Sequence, residues 1–65
     1  LGKSFVDYLN DVRIEKSKEL LKDVRYKTYE VAEIVGIPDP HYFSKLFKKY
    51  SGMTPSEYRE SLALK

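Results

Sequence analysis

Apolar residues along this chain recur at helical spacing, and glycine and proline divide the pattern into four segments. Residues 4–24 contain neither glycine nor proline, and their apolar positions cover well over half of a helical wheel. Ser4 can cap this first helix, and Asp7 is an acid suited to its first turn. A helix this broadly apolar is typical of one that packs on two sides. We therefore expect one neighbour to be the downstream part of this chain and the other to be a segment upstream of Leu1.

Two short helices with a tight corner between them are predicted next. Thr28 is expected to cap a helix from Tyr29 to Val35, with Val31, Ile34 and Val35 inside. Gly36 suits the left-handed position that ends a helix, and Asp39 followed by Pro40 suits the start of the next one. That helix is predicted over residues 40–50. Close crossing of the two helices would explain the small Ala32 and the bare Gly36.

Residues 40–50 divide into an apolar face and a basic face. The apolar stripe consists of Phe43, Leu46, Phe47 and Tyr50. The opposite side, here called the basic face, consists of His41, Ser44, Lys45 and Lys48, with Lys49 at its edge. Two short helices joined by a glycine-containing turn form the helix-turn-helix pattern, whose second helix typically enters the major groove of DNA. Thr54, Pro55 and Glu57 then form a capping box that predicts a last helix to about Leu62.

Composition excludes several function classes. The chain has 65 residues and a net charge of +2, which is too small a charge to indicate nucleic acid by itself. It has no cysteine and one histidine, so neither a nucleophile–base pair nor a zinc site is expected. We predict an all-α protein that is not an enzyme, needs no cofactor or metal, and works in the cytoplasm.

The segment VAEIVGIPDPHYFSKLFKKYSGMTPSEYR resembles the second helix-turn-helix of the AraC/XylS family of transcription regulators. Upstream, FVDYLNDVRIEKSKELL resembles the helix that links the two helix-turn-helix units of that family. Ser17 stands where the family usually has alanine, and Ile37 replaces a phenylalanine. The positions that match in register are Leu9, Asn10, Arg13, Ile14, Leu20, Leu21, Ala32, Gly36, Tyr42, Phe43, Phe47, Lys48, Lys49, Gly52, Thr54, Pro55, Tyr58 and Arg59.

The resemblance implies a homeodomain-like three-helix unit preceded by a long linker helix. Residues 1–26 would be the linker helix and the tail of a first helix-turn-helix, and residues 27–65 the second helix-turn-helix with its C-terminal helix. It also implies sequence-specific binding of double-stranded DNA in a bacterial activator or repressor. The expected partners besides DNA are an upstream helix-turn-helix, a separate effector or receiver domain, and RNA polymerase.

By the same resemblance, the outward positions of the second helix are expected to read the bases of one major-groove segment. Phosphate contacts are expected from positive side chains and from helix starts, which suit anions. The predicted base contacts are Pro40, His41, Ser44 and Lys45. The predicted phosphate contacts are Thr28, Tyr29, Tyr42, Lys48, Lys49, Thr54 and Arg59. Arg13 is expected to pair with acids of its own helix instead.

Two other interpretations of the basic segment remain open. The face over residues 41–49 would also suit an acidic protein partner, such as a polymerase subunit. The run HYFSKLFKKY would suit a membrane surface, although its apolar stripe is needed for packing within the chain. A preference among DNA duplexes of different sequence would distinguish DNA binding from both.

Overall fold

Four helices make up residues 4–64, the part of the chain that the computed structural model describes. They are α1 (Phe5–Leu21), α2 (Thr28–Ile34), α3 (Pro40–Ser51) and α4 (Pro55–Ala63). The predicted all-α fold of four helices is confirmed over this range. None of the described helices is long and apolar enough to cross a membrane.

Side chains cap three of the helices as predicted. The Ser4 hydroxyl accepts a hydrogen bond from the Asp7 N–H at 3.1 Å, and the Thr54 hydroxyl accepts one from Glu57 N–H at 3.1 Å. Asp39 Oδ1 accepts from the His41 N–H at 2.9 Å. Each cap satisfies a backbone donor that has no partner within its own helix.

The predicted cap at Thr28 is wrong by one residue. Lys27 holds the N-cap position of α2, and its N–H donates to Oε1 of Glu30 at 2.9 Å. A lysine side chain has no acceptor, so Glu30 alone supplies the side-chain half of this cap. The carboxylate of Glu30, and not the hydroxyl of Thr28, therefore stabilises the start of the helix.

Helix α1 ends at Leu21, three residues earlier than the pattern predicted. Beyond it, the Asp23 carboxylate accepts a hydrogen bond from Arg25 N–H at 3.0 Å and pairs with the Arg25 guanidinium at 2.8 Å. Such a local side-chain turn competes with continuation of a helix. Val24 consequently lies in the connection and is 86% exposed. At the other ends, α3 and α4 each run one residue further than predicted, to Ser51 and Ala63.

The core lies between α1, α2 and α3, and α4 packs against α3. Helix α1 contributes one row of buried side chains to the core. Helix α4 contacts the core through Tyr58, whose ring centroid lies 5.7 Å from that of Phe47. The predicted domain boundary at residue 26 stays a prediction about a longer protein. In this chain, the core includes residues from both sides of that boundary. Its apolar members are Ile14, Leu21, Val31, Ala32, Val35, Ile37, Phe43, Leu46 and Phe47.

Ile34 was predicted to be inside, and this is wrong, because 53% of it is exposed. At about 100° per residue, Val31, Val35 and Ala32 span an arc of roughly 100° that faces the core. Ile34 falls about 60° beyond the edge of that arc. Helix α2 packs against α1 and α3, and Ile34 lies outside the arc that makes these contacts.

Both glycines that follow helices adopt left-handed backbone conformations, as predicted for Gly36. Its φ is +87°, and that of Gly52 is +86°. The proposed need for close helix crossing at Gly36 is not what the structure shows. A Cβ there would lie 3.6 Å from the Arg13 guanidinium, an ordinary contact distance. Backbone conformation, and not space, is therefore the requirement at Gly36.

Candidate nucleic-acid interface

Helix α3 is fixed by its buried side and displays the opposite side to solvent. Phe43 and Phe47 are completely buried and Leu46 nearly so. The rings of Phe43 and Phe47 contact each other with centroids 5.9 Å apart. Their spacing of three and four residues leaves the remaining positions pointing outward. The exposed positions of α3 are Pro40, His41, Tyr42, Lys45, Lys48 and Lys49, and Ser44 is half-buried.

The start of α3 carries an internal anion. The Asp39 carboxylate accepts hydrogen bonds from the His41 and Tyr42 N–H groups at 2.9 and 3.4 Å. These donors are therefore not available to a phosphate. The side chains of the first two turns, and not the backbone of the helix end, are the groups this helix offers to a partner.

Positive charge on α3 increases toward its C-terminus. Lys48 and Lys49 lie in the last turn, where cations favour the negative end of the helix dipole. The ammonium of Lys49 also lies 5.6 Å from the centroid of the Tyr50 ring. Ion pairs between described residues lie elsewhere, in α1 and the connection after it, at Lys18–Glu15, Lys22–Glu19 and Arg25–Asp23.

The start of α4 is a closed capping box. The Thr54 N–H donates to Oε1 of Glu57 at 2.8 Å, in return for the bond that the Thr54 hydroxyl accepts. These hydrogen bonds to Thr54, with a smaller contribution from the charge of Lys48, lower the pKa of Glu57. The carboxylate is thus ionised beside the half-buried Thr54. A phosphate at this position would meet the negative charge of Glu57.

The two predicted phosphate contacts on α2 differ in exposure. Tyr29 is 52% exposed, whereas Thr28 is half-buried in the first turn of the helix. As at α4, a carboxylate, here that of Glu30, already accepts from the backbone at this helix start. The exposed Tyr29 hydroxyl is the better placed of the two for a contact with another molecule.

The guanidinium of Arg59 faces the protein backbone. Its Nε–H donates to the Leu21 carbonyl at 3.0 Å, and its Nη2–H groups donate to the carbonyls of Asp23, at 3.2 Å, and Tyr26. Sequence reasoning missed these bonds because they join residues more than thirty positions apart, which no local pattern encodes. The phosphate contact at Arg59 stays a prediction.

Arg13 contacts the corner between α2 and α3, residues 35–39. Its guanidinium atoms lie 3.6–3.7 Å from the point where a Cβ of Gly36 would stand. Sequence analysis considered only acids of the same helix for Arg13 and missed this contact. A charged group therefore lies beside the corner, although Gly36 itself remains exposed.

A family model described as a helix-turn-helix domain matches residues 1–61 of the chain. This chain belongs to the AraC-type helix-turn-helix family. The resemblance drawn from the sequence is thus confirmed, and so is the general assignment to a DNA-binding helix-turn-helix domain.

Relatives of this AraC-type domain are regulators several times its length. It is 45% identical over its whole length to an uncharacterized HTH-type transcriptional regulator, YisR, of Bacillus subtilis, and covers 23% of that protein. It is 50% identical over 89% of its length to the transcriptional regulatory protein HptR of Staphylococcus aureus, again covering 23%. An uncharacterized response regulatory protein of Staphylococcus epidermidis is 50% identical over 92% of the chain, which spans 24% of it. The comparison with solved structures gave no match.

Proposed function

We propose that this domain binds double-stranded DNA in a sequence-dependent manner, with α3 in the major groove, as part of a bacterial cytoplasmic transcription regulator. The observation that carries the proposal is the division of α3 into a side with buried Phe43, Leu46 and Phe47 and an opposite side with exposed lysines. A helix of 12 residues is about 18 Å long at 1.5 Å per residue, enough to lie across a groove about 12 Å wide.

Base contacts are assigned to the first two turns of α3. Lys45 is exposed there and suits the O6 and N7 acceptors of guanine, while His41 and Ser44 offer hydrogen-bonding groups beside it. Pro40 has no N–H to donate but suits contact with a thymine methyl group. These side chains share one side of the helix, so they would face the same few base pairs.

Phosphate contacts are assigned to the edges of this face. Lys48 and Lys49 are exposed at the end of α3, and Tyr29 and Tyr42 are each more than half exposed. Phosphate contacts of this kind position a protein on DNA without reading sequence. Thr28 and Thr54 are weaker members of the set, since carboxylates already accept from the backbone at both helix starts.

The exposed apolar stripe of α1 supports the expected upstream partner. It consists of Phe5, Val6, Tyr8 and Val12, each between 47% and 76% exposed. An apolar patch of this kind marks an interaction surface. We propose that a first helix-turn-helix covers it in the longer protein. A receiver domain, as in response regulatory proteins, or an effector domain would lie beyond it, and RNA polymerase remains a proposed partner.

Amide chemical-shift mapping at low salt tests the proposed interface, because the method detects weak binding and names residues. Addition of a mixed-sequence duplex is expected to shift amides 39–49 and to leave most of α1 unmoved. With three or four phosphates neutralised, the log–log salt slope should be about −3. Shifts confined to α1, or none at all, would count against α3 as the DNA contact.

A matched pair of lysine substitutions tests specificity. Lys45→Ala should weaken binding to a preferred duplex by about fivefold or more, a loss of about 1–3 kcal/mol. Lys16→Ala makes the same charge change on the exposed side of α1 and should have little effect. Equal losses from both variants, with no preference among duplexes, would favour the alternative of an acidic protein partner for the basic face.

A further inference from the structure

We infer that Arg59 is a positioning residue for DNA binding: its guanidinium holds the α1–α2 connection against α4 and is not itself a phosphate ligand. The α1–α2 connection is the segment 22–27. This inference rests on the proposed function, because the positioned groups are those proposed to contact DNA.

The three carbonyls that Arg59 binds frame this connection. Leu21 is the last residue of α1, Asp23 begins the turn after it, and Tyr26 stands immediately before Lys27, the N-cap of α2. Carbonyls at a helix C-terminus lack partners within the helix and attract cations. One planar guanidinium thereby satisfies acceptors at both ends of the connection.

Helix α4, which carries Arg59, also packs against α3. Tyr58, the neighbour of Arg59 in α4, packs its ring edge-on against Phe47. Phe47 is completely buried in the side of α3 opposite the basic face. Helix α4 is therefore held on α3 by Tyr58 and on the α1–α2 connection by Arg59. This pair adds a second link between the start of α2 and α3, besides their direct packing in the core.

The hydrogen bonds also occupy one edge of the guanidinium on which a phosphate could bind. Bidentate binding of an anion requires two parallel N–H groups on one edge of the planar group. In Arg59, the Nε–Nη2 edge donates to backbone carbonyls. A phosphate contact along this edge would break the bonds that hold the connection. The carboxylate of Asp23, whose carbonyl Arg59 binds, forms an ion pair with Arg25.

The side chain of Arg59 offers a direct test in the unmodified 65-residue chain. We expect its Nε–H resonance to exchange slowly with water in the free protein and to stay in place while a duplex shifts amides 39–49. A shift of this resonance together with those amides would overturn the inference and leave the proposed function standing. Absence of any shift in 39–49 would overturn both.

Two substitutions separate positioning from phosphate binding, measured at a temperature where circular dichroism shows each variant folded. Arg59→Gln removes the charge, and Arg59→Lys keeps it but lacks the fork. Positioning predicts that both weaken duplex affinity, by roughly threefold to tenfold, without changing the salt slope. A phosphate ligand predicts that Arg59→Lys retains affinity while Arg59→Gln lowers the magnitude of the slope by about 0.9.

Lys48→Gln provides the control for the salt slope, because Lys48 is an exposed, proposed phosphate contact on α3. It should lower the magnitude of the slope by about 0.9 with the fold intact. If folded Arg59 variants bind as tightly as the unmodified chain, the residue only stabilises the fold and the inference is wrong. If neither variant folds, the titration of the Nε–H in the unmodified chain decides.

Discussion

The Tyr50 hydroxyl donates a hydrogen bond to Oδ1 of Asp7 at 3.1 Å and ties the end of α3 to the first turn of α1. At its other end, α3 is fixed by the Asp39 cap. The helix that displays the basic face is thus held at both ends as well as along its buried side. The Asp39 cap is local and was predicted, whereas the Tyr50–Asp7 bond joins residues 43 positions apart and no local sequence pattern reveals it.

Removal of the Tyr50 hydroxyl should lower the free energy of unfolding. We expect Tyr50→Phe to destabilise by about 0.5–1.5 kcal/mol, since the bond is half-buried and Asp7 is left without this donor. Tyr42→Phe is the control, because that ring is 53% exposed on the same helix, and it should change stability by less than about 0.5 kcal/mol. Urea unfolding followed by circular dichroism gives both values, and equal effects would argue against the Tyr50–Asp7 bond.

The two left-handed glycines should respond alike to alanine. Gly36→Ala and Gly52→Ala should each destabilise by about 1–2 kcal/mol, because an L-residue is strained at these φ values. Neither change meets a steric obstacle, since a Cβ at Gly52 has nothing within 4 Å and the one at Gly36 has an ordinary contact. Asparagine should be tolerated better than alanine at both positions. A much larger loss at Gly36 alone would restore the explanation by close helix crossing.

Ser17 is completely buried in α1, and its hydroxyl donates to the Ile14 carbonyl of the same helix at 2.7 Å. Ser17→Ala removes the hydroxyl and its hydrogen bond together and improves helix propensity. We expect stability within about 0.5 kcal/mol of the unmodified chain, or slightly above it. Thermal and urea unfolding will show this, and a loss near 2 kcal/mol would indicate a polar partner for Ser17 beyond its own helix.

Ile34 and Val31 provide a test of the helix register. Ile34→Gln should change stability by less than about 0.5 kcal/mol because the side chain is mostly exposed. Val31→Ala should destabilise by about 1–3 kcal/mol because that side chain is completely buried. Urea midpoints of the two variants, compared at equal slope, check this: a loss at Ile34→Gln as large as that at Val31→Ala would support the buried Ile34 predicted from sequence.

Two carboxylates should contribute to loss of stability in acid. Hydrogen bonding and charge from Arg25 lower the pKa of Asp23 from 3.8 to about 2, and the capping box lowers that of Glu57. A depressed folded-state pKa gives stability that is present above the unfolded-state value and is lost as pH falls toward the folded one. The stability that the ionised Asp23 contributes is therefore lost as the pH falls from about 4 to about 2. Asp23→Asn and Arg25→Gln should each reduce the fall in stability over that range, measured by urea unfolding from pH 6 to pH 2.

Helix ends and the corner could be predicted because they depend on residues close in sequence. Ser4, Asp39 and Thr54 cap helices through bonds to donors two or three positions away. The same local rule failed at Thr28, because the helix begins one residue earlier and the Glu30 carboxylate binds the N–H of its N-cap, Lys27. It also failed for the end of α1, where the Asp23–Arg25 turn outweighed an apolar pattern.

The exposed side of α3 could be predicted from the sequence, whereas the contacts that hold the helices in place could not. The wheel of α3 alone separates the buried rings from the lysines, because period and polarity agree over the whole helix. The backbone bonds of Arg59 and the link from Tyr50 to Asp7 need the tertiary fold. Arg59 carried the same sequence signal as the lysines, a positive charge, and its different role follows only from the carbonyls that the fold places beside it.

The connections between the helices, residues 22–27, 35–39 and 52–54, are short; the first is held by Arg59, and each of the other two contains a glycine in a left-handed conformation. The helices are therefore already in their final arrangement before a partner binds. Preorganisation of this kind reduces the ordering entropy of association. Binding should proceed as rigid docking, with a heat-capacity change limited to the surface buried at the interface and free of any contribution from coupled folding.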